Sequence, residues 1–370
     1  MVKEIYFDAA ATTRVYPEVV KAMNGVMLDE YGNASSAHAL GDRASKLIIN
    51  SRANIARALG ARTHEIYFTS GTTESNNWVF SGLAHNNSAK KKILISGIEH
   101  PSIRETAELF KGWGYNIVEI PVNSEGFVDL NFIEKNIDSE TLFVSVIHGN
   151  NIFGTIQNLK KIGAICKRNG VLFHTDAAQS FGKIKILVHD WNIDLLSASA
   201  HKISGPKGVG LLYVREGIKF SPLIYGGGQE RGLRSGTENV SGIVGFAKAI
   251  EISLSEDWSK VSQARDYLIR ELELIGAKLI GSRARTPNNI FISFSDLNAE
   301  RLLYDLSSRG IYVSTGSACE SKKETEDATL KSIGLGSKEI KSSLRISLPV
   351  DVTMRDVNYF LSVLKELINL

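Results

Sequence analysis

The sequence has few cysteines, no excess of charge of one sign and no long apolar run. Its two cysteines, Cys166 and Cys319, are too few for a disulfide scaffold or a cysteine zinc site. The 43 basic and 40 acidic residues leave a net charge of +3 and no basic stripe for nucleic acid or an anionic membrane. No apolar run reaches the roughly 18 residues of a spanning helix, and the N-terminus lacks signal-peptide features. These absences predict a cytoplasmic protein whose cysteines are thiols.

What is present is the composition of an ordinary globular chain, with 43% hydrophobic and 22% charged residues. Its length of 370 residues predicts two or three domains at roughly 100–200 residues each. The 7 prolines are scattered, and no linker composition or internal repeat marks a boundary.

From about residue 65 to 215, short apolar segments typical of strands alternate with helical ones. The predicted strands are Glu65–Ser70, Lys92–Ile98, Asn116–Ile120, Thr141–His148, Val171–His174, Asp194–Ser199 and Gly210–Val214. The predicted helices between them are Thr73–Ala84, Pro101–Lys111 and Asn158–Arg168. This alternation predicts an α/β fold whose mainly parallel sheet is covered on both faces. Ligands of such sheets bind beyond the carboxyl ends of the strands.

After about residue 240 the pattern changes to a smaller α+β unit. Its predicted elements are a helical stretch Val240–Leu274 interrupted near Asp257, the strands Asn289–Phe294, Tyr312–Ser314 and Leu344–Ser347, and the helices Ala299–Arg309 and Met354–Leu370.

Three groups of polar residues follow predicted strands. Residues 70–77 (SGTTESNN) place hydroxyls and backbone N–H groups at a helix start, which favours phosphate, although an ordinary helix cap explains them as well. Asp176 points a carboxylate toward the crevice or caps the next segment. Lys202 lies in a turn where its amine suits an aldehyde cofactor, or it is a solvated surface lysine. Their occurrence together, in this order, favours a site that binds pyridoxal phosphate.

Further motifs along the chain extend this pattern. They are Tyr6-Phe7-Asp8-x-x-Ala11-Thr12-Thr13, Gly32-Asn33-x-Ser35, Thr69-Ser70-Gly71-x-Thr73-Glu74-Ser75-x-Asn77, Glu99-His100, Asn150-Asn151, Asp176-Ala177-x-Gln179-Ser180, Ser199-x-His201-Lys202, Gly205-Pro206-Lys207-Gly208, Gly226–Arg231, Arg234-Ser235-Gly236-Thr237, Ser314-x-x-Ser317-Ala318-Cys319-x-Ser321 and Leu344-Arg345-x-Ser347-Leu348. With these motifs the sequence resembles the cysteine desulfurases, class-V aminotransferase-like enzymes of the pyridoxal-phosphate fold type I. The serine-rich segment around Cys319 is similar to that of their housekeeping and nitrogen-fixation branch.

The resemblance implies a large domain that binds the cofactor and a small α+β domain. We expect residues 14–250 to form the large domain, with its mainly parallel mixed sheet flanked by helices. Residues 1–13 and 251–370 would form the small domain, which carries the catalytic cysteine loop at about 314–328. The expected state is a homodimer.

Roles of individual residues are carried over from the same resemblance. Lys202 forms the Schiff base with pyridoxal 5′-phosphate and moves protons, His100 stacks on the cofactor ring and acts in acid–base steps, and Asp176 pairs with the ring nitrogen. Cofactor binding is assigned to Thr72, Thr73, His100, Asn151, Asp176, Gln179, Ser199, His201, Lys202 and Thr237, where Thr237 reaches the phosphate of the other subunit. Binding of the substrate is assigned to Asn33, Asn151 and Arg345.

The implied reaction converts L-cysteine to L-alanine and leaves a persulfide on Cys319. The surroundings of Cys319 are small, polar and charged, which favours a mobile loop over burial, whereas Cys166 lies on the apolar face of a predicted helix and is expected in the core. An iron–sulfur scaffold or another sulfur-acceptor protein is the expected partner. No resident metal is implied, and at most a transient contact between Cys319 and a cluster.

Two other functions are compatible with the same residues. A selenocysteine lyase or another class-V aminotransferase would share the fold and cofactor, but an aminotransferase has no use for Cys319. A scaffold protein that has lost its chemistry would not need Lys202, Asp176, His100 and Arg345, and all four are present.

Overall fold

The computed structural model describes residues 4–86, 89–295, 297–315 and 323–368. The strands are β1 (Ile5–Tyr6), β2 (Ile66–Thr69), β3 (Lys92–Ser96), β4 (Asn116–Ile120), β5 (Thr141–Ser145), β6 (Leu172–Asp176), β7 (Leu195–Ser199), β8 (Gly210–Val214), β9 (Lys278–Leu279), β10 (Asn289–Ser293), β11 (Ile311–Tyr312), β12 (Ser314–Thr315) and β13 (Ser343–Ser347). The α-helices are α1 (Pro17–Asp29), α2 (Ala39–Leu59), α3 (Thr72–Ala84), α4 (Pro101–Gly112), α5 (Leu130–Asn136), α6 (Leu159–Arg168), α7 (Val240–Ser255), α8 (Trp258–Leu274), α9 (Ala299–Ser308), α10 (Lys323–Ser332), α11 (Ser337–Lys341) and α12 (Met354–Leu367).

Seven strands form one mixed sheet in the order β2-β8-β7-β6-β5-β3-β4. The neighbours from β7 to β4 run parallel, while β8 runs antiparallel to both β7 and β2. The predicted α/β fold with a mainly parallel sheet is therefore confirmed. Because parallel strands end at one edge, the residues that follow β5, β6 and β7 come together there.

Both faces of this sheet are covered, as the continuous apolar strands predict. Along β3, Leu94 packs in a cluster with Ile55 of α2 and Phe246 of α7. Its neighbours Ile93 and Ile95 pack instead with buried side chains of α3 and α4. Successive side chains of a strand point to opposite faces, so one strand serves both layers.

The later part of the chain forms a second, antiparallel sheet in the order β12-β13-β10-β9. A separate apolar cluster joins it to α8 and α12, and it includes Phe7 near the N-terminus, whose ring lies 5.7 Å from that of Phe360. The N-terminal segment thus packs with the later elements. The domain boundaries at residues 13 and 250 stay a prediction.

The bounds of the predicted elements need a few corrections. The strand predicted to end at His174 continues through Asp176, which pairs with Ser197 of β7. The interruption near Asp257 is confirmed, because this residue caps the start of α8. The segment 312–314 divides between β11 and β12. Among the described residues, no helix is both long and apolar enough to cross a bilayer.

Candidate active site

A cavity of about 720 Å³ lies at the carboxyl ends of β6 and β7, beside the N-termini of α3 and α4. Most of the residues predicted to bind cofactor or substrate line it together. They are Thr72, Thr73, His100, Asn151, Asp176, Gln179, Ser199, His201, Lys202 and Arg345. A cavity of this volume accommodates a small cofactor together with an amino acid.

The anion-binding part of the cavity is the start of α3. The turn before this helix lies tight against β8, because a Cβ on Gly210 would come within 2.6 Å of Gly71 Cα. The hydroxyl oxygen of Thr72 is buried and has no hydrogen-bond partner among the residues that the structure describes. A buried hydroxyl without a partner is costly unless a ligand completes it, and the N-terminus of a helix favours an anion. These residues fit a phosphate group.

His201 lies at the same end and is neutral. Burial first, and then the charges of Lys202, Lys207 and Lys183, lower the pKa of its imidazole to about 4. Its Nδ1 is 3.1 Å from the hydroxyl of Thr12. His201 therefore contributes a hydrogen bond rather than a positive charge.

Asp176, the last residue of β6, is 2% exposed. Its Oδ2 accepts from the side-chain amide of Asn76 at 2.8 Å, and its Oδ1 accepts from the backbone N–H of Ala178 at 2.9 Å. Asp176 was predicted either to point into the crevice or to cap the next segment. It does both in part, since it lines the cavity and one of its oxygens accepts from the turn that follows.

A second carboxyl group, that of Glu99, lies behind the first and is 1% exposed. Its Oε1 accepts from the backbone N–H of Ile147 at 2.8 Å and from the hydroxyl of Ser96 at 2.9 Å, while Oε2 has no hydrogen-bond partner in the described part of the chain. Burial, and then the negative charge of Asp176, raise the pKa of Glu99 to about 8. At neutral pH the carboxyl group of Glu99 therefore keeps its proton.

Lys202 lies in a short 3-10 turn directly after β7. Its Nζ donates to the carbonyl oxygens of Ala10 at 2.6 Å and Ala11 at 2.8 Å. Gln179 also donates to Ala10, at 2.8 Å. The N-terminal segment therefore forms one wall of the cavity and holds the lysine there.

A second lysine, Lys183, is buried close to this turn. Within the described residues its Nζ has no hydrogen-bond partner, and it lies 5.8 Å from the centre of the Trp258 ring. Burial, and then the charge of Lys202, lower the pKa of Lys183 to about 7.

Arg345 reaches the cavity from β13. One of its terminal nitrogens donates to Asp8 at 2.9 Å and the other to the backbone carbonyl of Asn151 at 3.2 Å. Its Nε is buried and has no hydrogen-bond partner in the described ranges. Ser314 of β12 pairs with Arg345 and lines the same cavity. A guanidinium with an unused donor suits a substrate carboxylate.

Three predicted site residues are not among those that line the cavity. Asn33 accepts from the backbone of Ser35 within its own loop. Thr237 lines a smaller adjacent cavity that shares Ser70 and Gly208 with the main one. Cys319 lies outside the described residues.

The other cysteine, Cys166, is buried in the core as predicted. Burial, and then Asp194, raise the pKa of its thiol to about 12. It stays a thiol at neutral pH and is a poor nucleophile.

Several residues of the site received no role from the sequence. Asp8 and Glu99 belong to the quoted motifs, but nothing in the motifs says what they contact. Asn76 and Lys183 received no role, because the group beside each side chain, Asp176 for Asn76 and Trp258 for Lys183, is distant in the chain. The best guide to Glu99 would have been its position directly before His100, a predicted site residue.

Comparisons with known proteins agree with this geometry. A family model described as aminotransferase class-V matches residues 5–360. The curated cysteine desulfurase IscS of Clostridium botulinum is 44% identical, covering 100% of this chain and 95% of its own. That of Methanosarcina thermophila is 42% identical, with 99% and 92% covered.

Solved structures are similar over nearly the whole chain as well. A NifS-like protein superposes with a TM-score of 0.94 at 38% identity, covering 99% of this chain and 100% of its own. SspA, solved in complex with cysteine, superposes with a TM-score of 0.85 at 35% identity, with 94% and 99% covered.

Proposed function

Since this chain belongs to the cysteine desulfurases of the class-V aminotransferase family, we propose that it converts L-cysteine to L-alanine and takes the sulfur onto Cys319 as a persulfide. The observation that carries the proposal is that one cavity is lined by an amine, a buried carboxylate and a guanidinium, those of Lys202, Asp176 and Arg345.

Pyridoxal 5′-phosphate is the cofactor that these residues fit. The unpartnered hydroxyl of Thr72 and the start of α3 would hold its phosphate, together with Thr73, Ser199 and His201. Asp176 would face the ring nitrogen, and Lys202 is the amine that would hold the aldehyde. When bound, the cofactor supplies an acceptor for the electron pair released at the substrate Cα.

The substrate would be held by its carboxylate at Arg345, where the buried Nε has no acceptor among the described residues. Lys202 would move the proton at the substrate Cα. His100 lines the cavity and would act in acid–base steps. These roles, and that of Asn33, are proposals from the family motifs.

Cys319 follows Ser314 by five residues in the chain. Ser314 lines the cavity and pairs with Arg345. The described strand that precedes the cysteine segment thus lies at the cavity, which supports Cys319 as the sulfur acceptor.

The sulfur transfer balances without an external redox partner. The Cys319 thiolate attacks the substrate sulfur, so an S–S bond forms while the bond between substrate Cβ and sulfur breaks. The electron pair of the broken bond stays with the carbon skeleton, which takes up protons to become alanine. Cysteine and one thiol thus give alanine and one persulfide.

We also propose a homodimer in which Thr237 reaches the partner's phosphate site. Its position in the cavity adjoining Ser70 and Gly208 places it at an edge of the main cavity. The acceptor of the sulfur would be an iron–sulfur scaffold or another sulfur-acceptor protein, and the reaction would take place in a reducing compartment such as the cytoplasm.

Mass spectrometry after addition of L-cysteine tests the reaction and the nucleophile together. We expect a sulfur adduct on Cys319 and formation of alanine, both lost in Cys319→Ser. Cys166→Ser is the matched control and should keep both, since Cys166 is buried with a raised pKa. Alanine formation that survives in Cys319→Ser at the wild-type rate would refute the assignment.

A further inference from the structure

A chain of hydrogen bonds joins Asp176 to His100 through two residues that have no assigned role. The side-chain nitrogen of Asn76 donates to Asp176 Oδ2 at 2.8 Å and to Ser102 Oγ at 2.9 Å. Ser102 Oγ lies 2.8 Å from His100 Nδ1. The backbone N–H of Ser102 donates to the same nitrogen at 3.1 Å.

The direction of each bond in this chain follows from the acceptors at its Asp176 end. Both oxygens of Asp176 accept from N–H groups, so the Asn76 amide presents its nitrogen, which carries two hydrogens. The second of these hydrogens goes to Ser102 Oγ, and the hydroxyl hydrogen of Ser102 is left to point at His100 Nδ1. Nδ1 then accepts from both the hydroxyl and the backbone, so the proton of the neutral imidazole sits on Nε2.

The described contacts of the Asn76 amide are its bonds to Asp176 and Ser102. It lies on α3 with 0% of its surface exposed. Its Oδ1 accepts no hydrogen bond from any residue that the structure describes. Burial keeps the two donor bonds dry, which strengthens them and makes their order hard to reverse.

We propose that Asn76 and Ser102 are positioning residues that hold His100 as the Nε2–H tautomer under the control of the Asp176 carboxylate. One hydrogen-bond chain thereby joins Asp176, which would pair with the cofactor ring, to His100, which would act beside that ring. The neutral His100 enters the reaction as a proton donor at Nε2, because Nδ1 is already occupied. This role rests on the proposed function, which makes His100 meet the reacting groups.

The test is 15N NMR of the holoenzyme labelled at histidine, with the His100 resonances assigned through their loss in His100→Gln. We expect an unprotonated Nδ1 and a protonated Nε2 in the wild type. Asn76→Leu keeps the side-chain volume but removes both donated bonds, and Ser102→Ala removes the hydroxyl. In each we expect the Nδ1 resonance to move and kcat to fall about tenfold, which is only part of the roughly 10²–10⁴-fold contribution of an acid–base group, with KM changed less.

Asn77→Leu is the matched control, because Asn77 is the next residue on α3 and its amide contacts the carbonyl of Thr73 and the hydroxyl of Thr106 rather than Asp176 or the Ser102 hydroxyl. It should leave the Nδ1 resonance unmoved, and Ser102→Thr, which keeps a hydroxyl, should restore both resonance and kcat. If Asn76→Leu does not fold, Ser102→Ala decides.

The proposal is overturned by a protonated Nδ1 in the wild type, by an unmoved Nδ1 resonance in the folded variants, or by an unchanged kcat in them. A wild-type enzyme that forms no alanine would refute the proposed function instead. The NMR result on His100 would still decide the order of the hydrogen bonds.

Discussion

Arg345 and Asp8, 337 residues apart in the chain, form an ion pair at 2.9 Å in the wall of the cavity. The pair is mostly buried, and a second bond from Arg345 to the Asn151 carbonyl fixes the plane of the guanidinium. The N-terminal segment thus orients the residue proposed to bind the substrate carboxylate.

Removing the carboxylate of Asp8 should therefore weaken substrate binding. A charge-assisted hydrogen bond contributes about 1.5–3 kcal/mol, so we expect Asp8→Ala to raise KM for L-cysteine about tenfold or more, with a smaller change in kcat. Steady-state rates of alanine formation at several L-cysteine concentrations measure KM and kcat. Asp8→Asn, which keeps an acceptor oxygen, should lose less. A lower KM in Asp8→Ala would mean that Asp8 competes with substrate instead of orienting Arg345.

The buried hydroxyl of Thr72 should affect two properties differently, namely the stability of the cofactor-free protein and its affinity for the cofactor. Thr72→Val keeps the shape but removes a buried polar atom, so the melting temperature of the cofactor-free protein should stay equal or rise. Affinity for pyridoxal phosphate should fall about tenfold if one phosphate hydrogen bond is lost. Calorimetric titration with the cofactor and thermal unfolding without it measure the two effects. Equal cofactor affinity would exclude Thr72 from the phosphate site.

Glu99 should make the native state less stable as the pH rises. The native carboxyl keeps its proton up to about pH 8, while the unfolded one loses it near 4.5. Its contribution is complete below pH 4.5 and is lost between 4.5 and 8. The free energy of unfolding of the wild type minus that of Glu99→Gln should therefore fall across this range and then level off. Urea unfolding at several pH values measures it, and a flat difference would show that Glu99 is ionised.

Lys183 should have the opposite effect to Glu99, since it should make the native state more stable as the pH rises above neutral. The native amine loses its proton near pH 7, while the unfolded one keeps it up to about 10.5. The wild type should therefore gain stability relative to Lys183→Met as the pH rises between these values. The same unfolding series, extended to alkaline pH, follows it. If the free energies of unfolding of the wild type and Lys183→Met differ by a constant amount across that range, the buried amine keeps its charge.

Much of the architecture was predictable because it depends on local patterns. The apolar segments of β3, β5 and β7 and the helices between them required only periodicity, and the polar residues at their ends required only the rule that ligands bind there. The end of β6 was predicted too early, because His174 and Asp176 are polar residues in a buried strand. Nothing in the local pattern reveals that a strand will have partners for its polar side chains.

The roles of Lys202, Asp176 and Arg345 came from motifs, and the structure adds what each of them contacts. Asn76 and Asp176 lie 100 residues apart and meet only after α3 packs beside β6. Likewise, Glu99 reads as an ordinary charged residue until burial and Asp176 remove its charge.

The sequence by itself determined the class of fold, the order of the motifs and the family to which they belong, since those properties are written in spacing and residue type. Only the tertiary structure decided which polar groups share a dry interior and which of them keep their charge. That decision depends on the burial and neighbours of each group, and both are supplied by parts of the chain that are remote in sequence.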